Sequence, residues 1–420
     1  MLKNYIIVAL RNLVRNKAFS FINILGLALG ISCSMLILLW VQSELAVDKF
    51  HQHSDRLFRI LEKQQYSDGN IFVFNSTPGP MAPVIKEKYP EIELAARITW
   101  EENHLFSANN KSNSFYQLGR FADEDFLKMF SFPLEKGDEN TALKDPYSIV
   151  VSDKMAKLFF PEEDALGKTL VMDDKHSFTI TGVLHSLPKA SSLQFDFIIP
   201  FNFYYSVNEN WLKQWDNNNI RTNIKLAEGA DVNLLADKLK NEIHQHTEGS
   251  RNIELFLQKY DEAYLYGKFE NGVLVGGRIE NIKIFAGIAF LVLLIAGINF
   301  TNLAIAQATK RAKEVGLRKS IGAVKSQLAI QFLLESVLMV VASTAVALLF
   351  VSLLLPFFNI ITEKNLSFSI SSYTSWLLLL GVLCITALIS GSYPAFYVAS
   401  FQPQKVLKGQ LKSGTSAIFF

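Results

Sequence analysis

Four long stretches almost free of charge constrain this chain more than any other feature. Residues 19–41, 284–308 and 376–398 contain no Asp, Glu, Lys or Arg, and residues 328–355 contain only Glu335. A helix crosses the hydrocarbon core of a bilayer in about 20 mostly apolar residues, so each stretch is long enough to span. Four such runs are far more than the core of a soluble protein of this length would carry. The first is too long for the apolar segment of a cleaved signal peptide and lacks a small-residue cleavage site, so it reads as a retained signal-anchor.

Orientation follows from Lys and Arg beside the helix ends. The segment before the first stretch carries Lys3, Arg11, Arg15 and Lys17 without an acid. The connection after the second carries Lys310, Arg311, Lys313, Arg318, Lys319 and Lys325 against Glu314 alone. Lys405, Lys408 and Lys412 follow the fourth. These segments are expected on the cytoplasmic side and residues 45–282 on the opposite side. Between Glu44 and Lys283 there are 36 acids and 27 Lys and Arg, a net of −9, so the whole-chain value of +2 hides an acidic exterior and a basic cytoplasmic face. That balance argues against a nucleic-acid binder.

The exterior segment mixes two periodicities. Strand-like runs fall at 57–61, 71–74, 148–151, 169–172, 178–183 and 195–200, and helical patterns at 80–88, 123–130, 153–159 and 232–246. The expected fold class is an α+β membrane protein, with four transmembrane helices and a large α+β extracytoplasmic domain inserted between the first and second. The Asn-rich stretch 208–219, with Trp211 and Trp215, reads as a joint between subdomains or a contact loop, with buried tryptophans the commoner case. Both cysteines, Cys33 and Cys384, fall inside spans, so the domain has no disulfide.

Catalytic signatures fail one by one. Gly167-Lys168-Thr169 approaches a phosphate-binding loop, but Glu162 stands where the first glycine of GxxxxGK[ST] belongs. His51/His53 and His244/His246 lack the Cys or acidic partners that complete a zinc site and read as solvated surface residues. There is no GxSxG and no HExxH. The expectation is a non-catalytic subunit with no cofactor and no metal.

The candidate sites are at the cytoplasmic face. Ile6, Ala9, Leu10, Leu13 and Val14 share one helical face, with Arg11, Asn12, Arg15 and Asn16 elsewhere. That pattern fits an amphipathic helix lying in the membrane interface. The connection 309–327 places five Lys or Arg between positions 310 and 319, then Gly322 as a helix stop, and fits a short helix offering charge to an acidic partner. Glu335 is expensive inside a bilayer and is a functional candidate by default, with ion pairing to the basic connection favoured over a proton relay. Gly26, Gly30, Ser32 and Ser34 in the first span, and Gly297, Asn299, Thr301 and Asn302 in the second, point to close helix packing.

Several segments in order carry a family resemblance: ALRNLVRNKAFSFINILGLALGI at 9–31, DKFHQHSDRLFRI at 48–60, LFFPEEDALGKTL at 158–170, FTITGVL at 178–184, SSLQFDFIIP at 191–200, RAKEVGLRKSIGA at 311–323 and SYPAFYVASFQPQKVLKG at 392–409. The sequence resembles the MacB/FtsX-type permease subunits of ABC transporters, a mechanotransmission class, with EVGLRKSIGA between spans two and three the most specific piece. The resemblance implies a MacB-like periplasmic domain, membrane dimerisation, and docking of cytoplasmic ABC ATPase subunits on the short helix after span two and on the N-terminal region. Glu314, Gly316, Arg318, Lys319, Gly322 and Ala323 would then face the ATPase. MacB itself carries an ATPase domain that these residues do not contain, so a separate ATPase chain is implied. Many relatives continue into a second repeat of domain and spans, so a second permease copy or repeat is expected where this chain stops at Phe420.

The resulting partition is an N-terminal interface helix (1–17), transmembrane helix 1 (18–44), a MacB-like periplasmic domain (45–282), transmembrane helix 2 (283–308), a coupling connection (309–327), transmembrane helix 3 (328–355), a short periplasmic loop (356–375), transmembrane helix 4 (376–398) and a cytoplasmic tail (399–420), with 283–408 as an FtsX-like permease domain. The expected function is coupling of ATP hydrolysis in a partner to movement of the periplasmic domain for efflux, in the inner membrane. The alternatives are an FtsX-like regulator of a cell-wall hydrolase and a lipoprotein-extraction permease. A periplasmic adaptor or hydrolase is the corresponding exterior partner.

Overall fold

The computed structural model describes residues 7, 11, 14–108, 114–247, 252–310, 312–321, 324–368 and 373–399. In chain order the helices are α1 (Lys17–Leu45), α2 (Met81–Lys88), α3 (Phe126–Met129), α4 (Asp153–Phe159), α5 (Phe201–Leu212), α6 (Val232–Leu239), α7 (Tyr260–Ala263), α8 (Arg278–Lys310), α9 (Ala312–Ser320), α10 (Lys325–Thr362) and α11 (Tyr373–Ala399). The strands are β1 (Leu57–Gln65), β2 (Ile71–Phe74), β3 (Thr77–Pro78), β4 (Ile92–Ile98), β5 (Glu102–Ala108), β6 (Ser114–Ala122), β7 (Leu134–Gly137), β8 (Ser148–Ser152), β9 (Thr169–Met172), β10 (His176–Leu184), β11 (Phe197–Pro200), β12 (Asn218–Leu226), β13 (Asn252–Lys259), β14 (Lys268–Glu270) and β15 (Val273–Gly276). The chain forms two compact units, Glu44–Asn281 and the residues on either side of it.

Among the described residues of the helical unit, four helices are long and apolar enough to cross a membrane: α1, α8, α10 and the Tyr373–Gly391 part of α11. Helices are the natural state there because hydrocarbon offers no partner for a free N–H or C=O. α10 buries Leu328, Phe332, Glu335, Met339, Ser343, Ala347 and Val351, a stripe at helical spacing. Its hydroxyls are satisfied within the helix: Ser343 donates to the Met339 carbonyl at 2.8 Å and Thr344 to that of Val340 at 2.8 Å. The helix ends at Glu363, which adopts a left-handed φ of 52°. Asn359 then pins the departing chain, accepting from the Leu366 N–H at 2.9 Å and donating to its carbonyl at 3.0 Å. Between α1 and α8, the Ser34 hydroxyl donates to the Ala289 carbonyl at 2.8 Å.

The other unit is α+β, as the sequence implied. Strands β11, β8, β10, β9, β5 and β6 pair in that order, and β6 pairs back to β11, so six strands close into a ring. Phe106, Phe121, Phe178, Phe197 and Ile199 fill its core with α4 and α5. From β6 the sheet continues through β4, β12 and β1 to β13. Alternate residues on these strands face opposite sides. Phe58, Ile60 and Ile224 pack under α2 and α6, whereas Leu57, Ala96 and Ile98 pack with Phe126, Phe130 and Tyr260. Ser152 caps α4 by accepting from the Met155 N–H at 3.1 Å, and Asp231 caps α6 by accepting from Asn233 and Leu234.

One local expectation is corrected. The helical pattern 232–246 breaks after Leu239, because the Lys240 carbonyl accepts from the Leu255 N–H of β13 at 2.9 Å instead of continuing the helix. A 3-10 turn, Ile243–Gln245, still buries Ile243. The stretch 208–219 is the end of α5, a turn and the start of β12. Trp211 packs on the ring core and Trp215 lies flat on His246, centroids 3.8 Å apart.

Candidate functional site

Helix α9 occupies the connection between the second and third spanning helices. Its sequence, AKEVGLRKS, mixes charged with apolar residues, and Val315 is 3% exposed and Gly316 buried, so one side is packed. Leu317 and Ile321 are exposed at 57% and 79%, and Val324 beyond them at 57%. The helix is closed by its own backbone and side chains: Ser320 donates to the Gly316 carbonyl at 3.0 Å, and the Ile321 N–H to that of Leu317 at 3.2 Å. α10 starts anew at Lys325, with the Gln327 side chain accepting from the Val324 N–H at 3.3 Å. Lys319 is half-buried, and burial with the nearby Lys325 holds its pKa below the ordinary lysine value.

Glu314 and Arg318 both belong to α9. Gly322 and Ala323 lie outside the described residues, as does Asn12. Arg11 and Arg15 are exposed, and the Asn16 carbonyl accepts from the Ser20 N–H as the chain enters α1. Glu335 is 8% exposed on α10 and accepts a hydrogen bond from Gln331 at 3.3 Å.

The histidine expectation fails at His51. It is 4% exposed, boxed by Phe50, Phe130, Phe132 and Tyr260. Its Nδ1 accepts from the Ser131 N–H at 3.2 Å, and burial pushes its pKa down to about 4. Accepting at Nδ1 leaves the neutral tautomer with its proton on Nε2. His246 also has a structural place, its Nε2 3.2 Å from Glu242 Oε1. Among the described residues no group of three or more His, Cys, Asp and Glu is placed to hold a metal ion. Arginine is also concentrated on one sheet face, at Arg59, Arg120 and Arg221, which leave no local signal in the sequence because they are scattered along the chain.

Comparison with known proteins follows this layout. Residues 20–242 match the model of the MacB-like periplasmic core domain, and residues 286–403 that of the FtsX-like permease C-terminal domain. The first match alone covers more than half of the chain. The protein is a membrane permease of the ABC transporter class with a periplasmic-type domain. It belongs to the MacB/FtsX family.

The macrolide export ATP-binding/permease protein MacB of Neisseria gonorrhoeae is 25% identical over 296 residues, 69% of this chain and 42% of that protein. The Bacillus subtilis ABC transporter permease YknZ is 26% identical over 224 residues, 52% of each chain. The chain thus spans less than half the length of the MacB relative. Among solved structures, a domain of a Porphyromonas gingivalis permease-type protein aligns with TM-score 0.45 and 24% identity, covering 51% of this chain and 93% of that one. The periplasmic region of MacB from Actinobacillus actinomycetemcomitans aligns with TM-score 0.37 and 15% identity, covering 50% and 90%.

Proposed function

We propose that the chain is a non-catalytic permease subunit that couples ATP hydrolysis in a separate cytoplasmic ABC ATPase to movement of its periplasmic domain for export. Both termini and residues 309–327 lie in the cytoplasm, residues 45–282 in the periplasm of the inner membrane, and a second permease copy or repeat completes the assembly. The observation that carries this reading is α9: a short basic helix between two spanning helices, packed through Val315 and Gly316, with Leu317 and Ile321 left exposed. Apolar side chains interleaved with charge suit a protein groove, where the aliphatics supply affinity and the charges fix register. Glu314, Gly316, Arg318, Lys319, Gly322 and Ala323 form that coupling element. Arg11, Asn12, Arg15 and Asn16 lie along the membrane interface beside it, and Glu335 balances the basic connection from within α10. The likeness to a relative named for macrolide export supports export as the direction of work.

Co-purification tests the reading. The full chain is co-expressed with an ABC ATPase subunit of the same organism, as wild type and as Arg318→Glu/Lys319→Glu. The wild type retains the ATPase and the variant loses at least about tenfold of the binding, as expected for two charges in a contact. Equal retention by both would remove α9 from the contact. Recovery of a cell-wall hydrolase with no ATPase would favour the regulator instead.

A further inference from the structure

The exterior unit holds a cavity of about 540 Å3 whose walls carry Arg59, Arg221, Lys268 and Arg278 against one carboxylate, Asp48. Strand register assembles the arginines. Arg59 on β1 stands opposite Asn223 on β12, and Arg221, two residues along β12, shares that face. Arg221 stands opposite Ile98 of β4, Ile98 opposite Ala122 of β6, and Arg120 is two residues from Ala122 on the same side. Three guanidinium groups from three strands therefore crowd one face.

Two of them are compensated. Arg120 donates to the Thr99 carbonyl at 3.0 Å and to Glu101 Oε2 at 3.2 Å. Arg59 donates through Nε and Nη2 to Gln258 Oε1 at 2.9 and 2.6 Å, with Asp48 as its nearby negative charge. Asp48 is 1% exposed and is already engaged, its Oδ1 accepting from the Ser192 N–H at 2.7 Å. Arg278 lies over the Tyr264 ring, and Lys268 pairs with Glu270.

Arg221 differs. Its guanidinium carbon lies 3.7 Å from the centre of the Trp100 ring, and its buried Nε has no hydrogen-bond partner among the described residues. Burial, then the neighbouring Arg120, pushes its pKa down to about 10. Arg221 is half-buried with Glu101 as an opposing charge, and a guanidinium whose Nε is buried without a hydrogen-bond partner gains from a ligand that pairs with it.

We propose that this cavity binds the phosphate group of a phosphomonoester or phosphodiester, with Arg221 as its principal contact. A guanidinium fork matches phosphate oxygens in pairs. With Arg59 beside Asp48 and Lys268 paired to Glu270, Arg221 and Arg278 are the cations of the lining left without an ion pair among the described residues, and two guanidinium groups match the charge of a phosphate better than that of a single carboxylate. The volume lies in the range of small-molecule sites and exceeds that of a bare anion, and Tyr260, Ile98 and Leu193 supply apolar wall for the organic part. Two sources share this chemistry, a soluble phosphoester and a phospholipid headgroup. Asp48 follows the end of α1 by three residues and Arg278 is the first residue of α8, so both cavity walls continue within a few residues into apolar helices.

Thermal melting of the purified full chain tests the site without any ATPase, so its failure is distinct from failure of the coupling reading. One arm adds glycerol 3-phosphate to detergent-solubilised protein, with sodium chloride at matched ionic strength as control. The other compares nanodiscs of phosphatidylglycerol with nanodiscs of phosphatidylcholine. The expected result is a rise of about 5 °C at saturating ligand in one arm, and that arm identifies the source. Arg221→Gln abolishes the rise while leaving the ligand-free melting temperature equal or higher, because it removes a half-buried charge without an ion pair. The exposed Arg278→Gln is the second variant and weakens the rise without touching the sheet. No rise in either arm, or a rise unchanged in both variants, overturns the proposal.

Discussion

A methyl group on Gly30 would stand 2.4 Å from the Ala296 Cβ, so α1 and α8 touch nearly backbone to backbone. Between apolar helices in lipid, such close approach is a main source of association, since hydrophobic burial contributes little there. Gly30→Leu forces the pair apart and costs about 3 kcal/mol or more. The full chain in detergent then melts at a markedly lower temperature and is nicked faster by protease between the units. An unchanged melting temperature would show that this contact does not hold the helices.

Gly119 on β6 lies under the Phe197 ring of β11, where an added Cβ would meet ring carbons at 2.4 to 2.5 Å. These strands close the six-stranded ring, so the glycine is a condition of closure. Gly119→Ala overpacks the core by about 1–3 kcal/mol. Chemical denaturation should show a lower midpoint with an unchanged slope.

Glu242 is fully buried and accepts from Lys88 at 2.8 Å, from Tyr89 at 2.5 Å and from His246 at 3.2 Å. Burial alone would raise its pKa, but the hydrogen bonds from Lys88 and then Tyr89 hold it below the ordinary glutamate value. Glu242→Ala leaves the Tyr89 hydroxyl only the longer contact to the Lys238 carbonyl at 3.3 Å and removes the carboxylate acceptor of Lys88, which costs about 1–3 kcal/mol. Glu242→Gln keeps an acceptor and loses less, which separates the hydrogen bonds from the packing.

His51 makes the stability of the exterior unit depend on pH. Its folded pKa of about 4 lies below the ordinary 6.5. Between these values the unfolded chain binds a proton that the folded one refuses. Stability is therefore complete above 6.5 and falls as the pH drops toward 4, by at most about 3 kcal/mol. His51→Gln flattens this part of the profile in urea titrations across the range, while an unchanged slope would mean other groups cause it.

The membrane helices were legible because a spanning segment needs one long, uncharged run, a local property. Strands such as Ile71–Phe74 and Thr169–Met172 were legible for the same reason, as short β-rich runs between turns. The end of α6 was not, because β13 claims the Lys240 carbonyl and lies outside the helix's own sequence. His51 reads as a polar loop residue, and only folding brings Phe130 and Tyr260 around it. Arg59, Arg120 and Arg221 are far apart in the chain, and strand register alone unites them. The α9 segment stood out by charge, but the exposure of Leu317 and Ile321 beside a buried Val315 required the structure.

Movement of the periplasmic domain in response to nucleotide tests the central claim most directly. The exposed Lys154→Cys position, in a background lacking Cys33 and Cys384, carries a spin label in each copy of the full chain assembled with its ATPase. Electron–electron distances are measured without nucleotide and with ATP trapped by vanadate. The account predicts a nucleotide-dependent change in the distance distribution that disappears in Arg318→Glu/Lys319→Glu. An unchanged distribution in the wild type, or the same change in the variant, would contradict it.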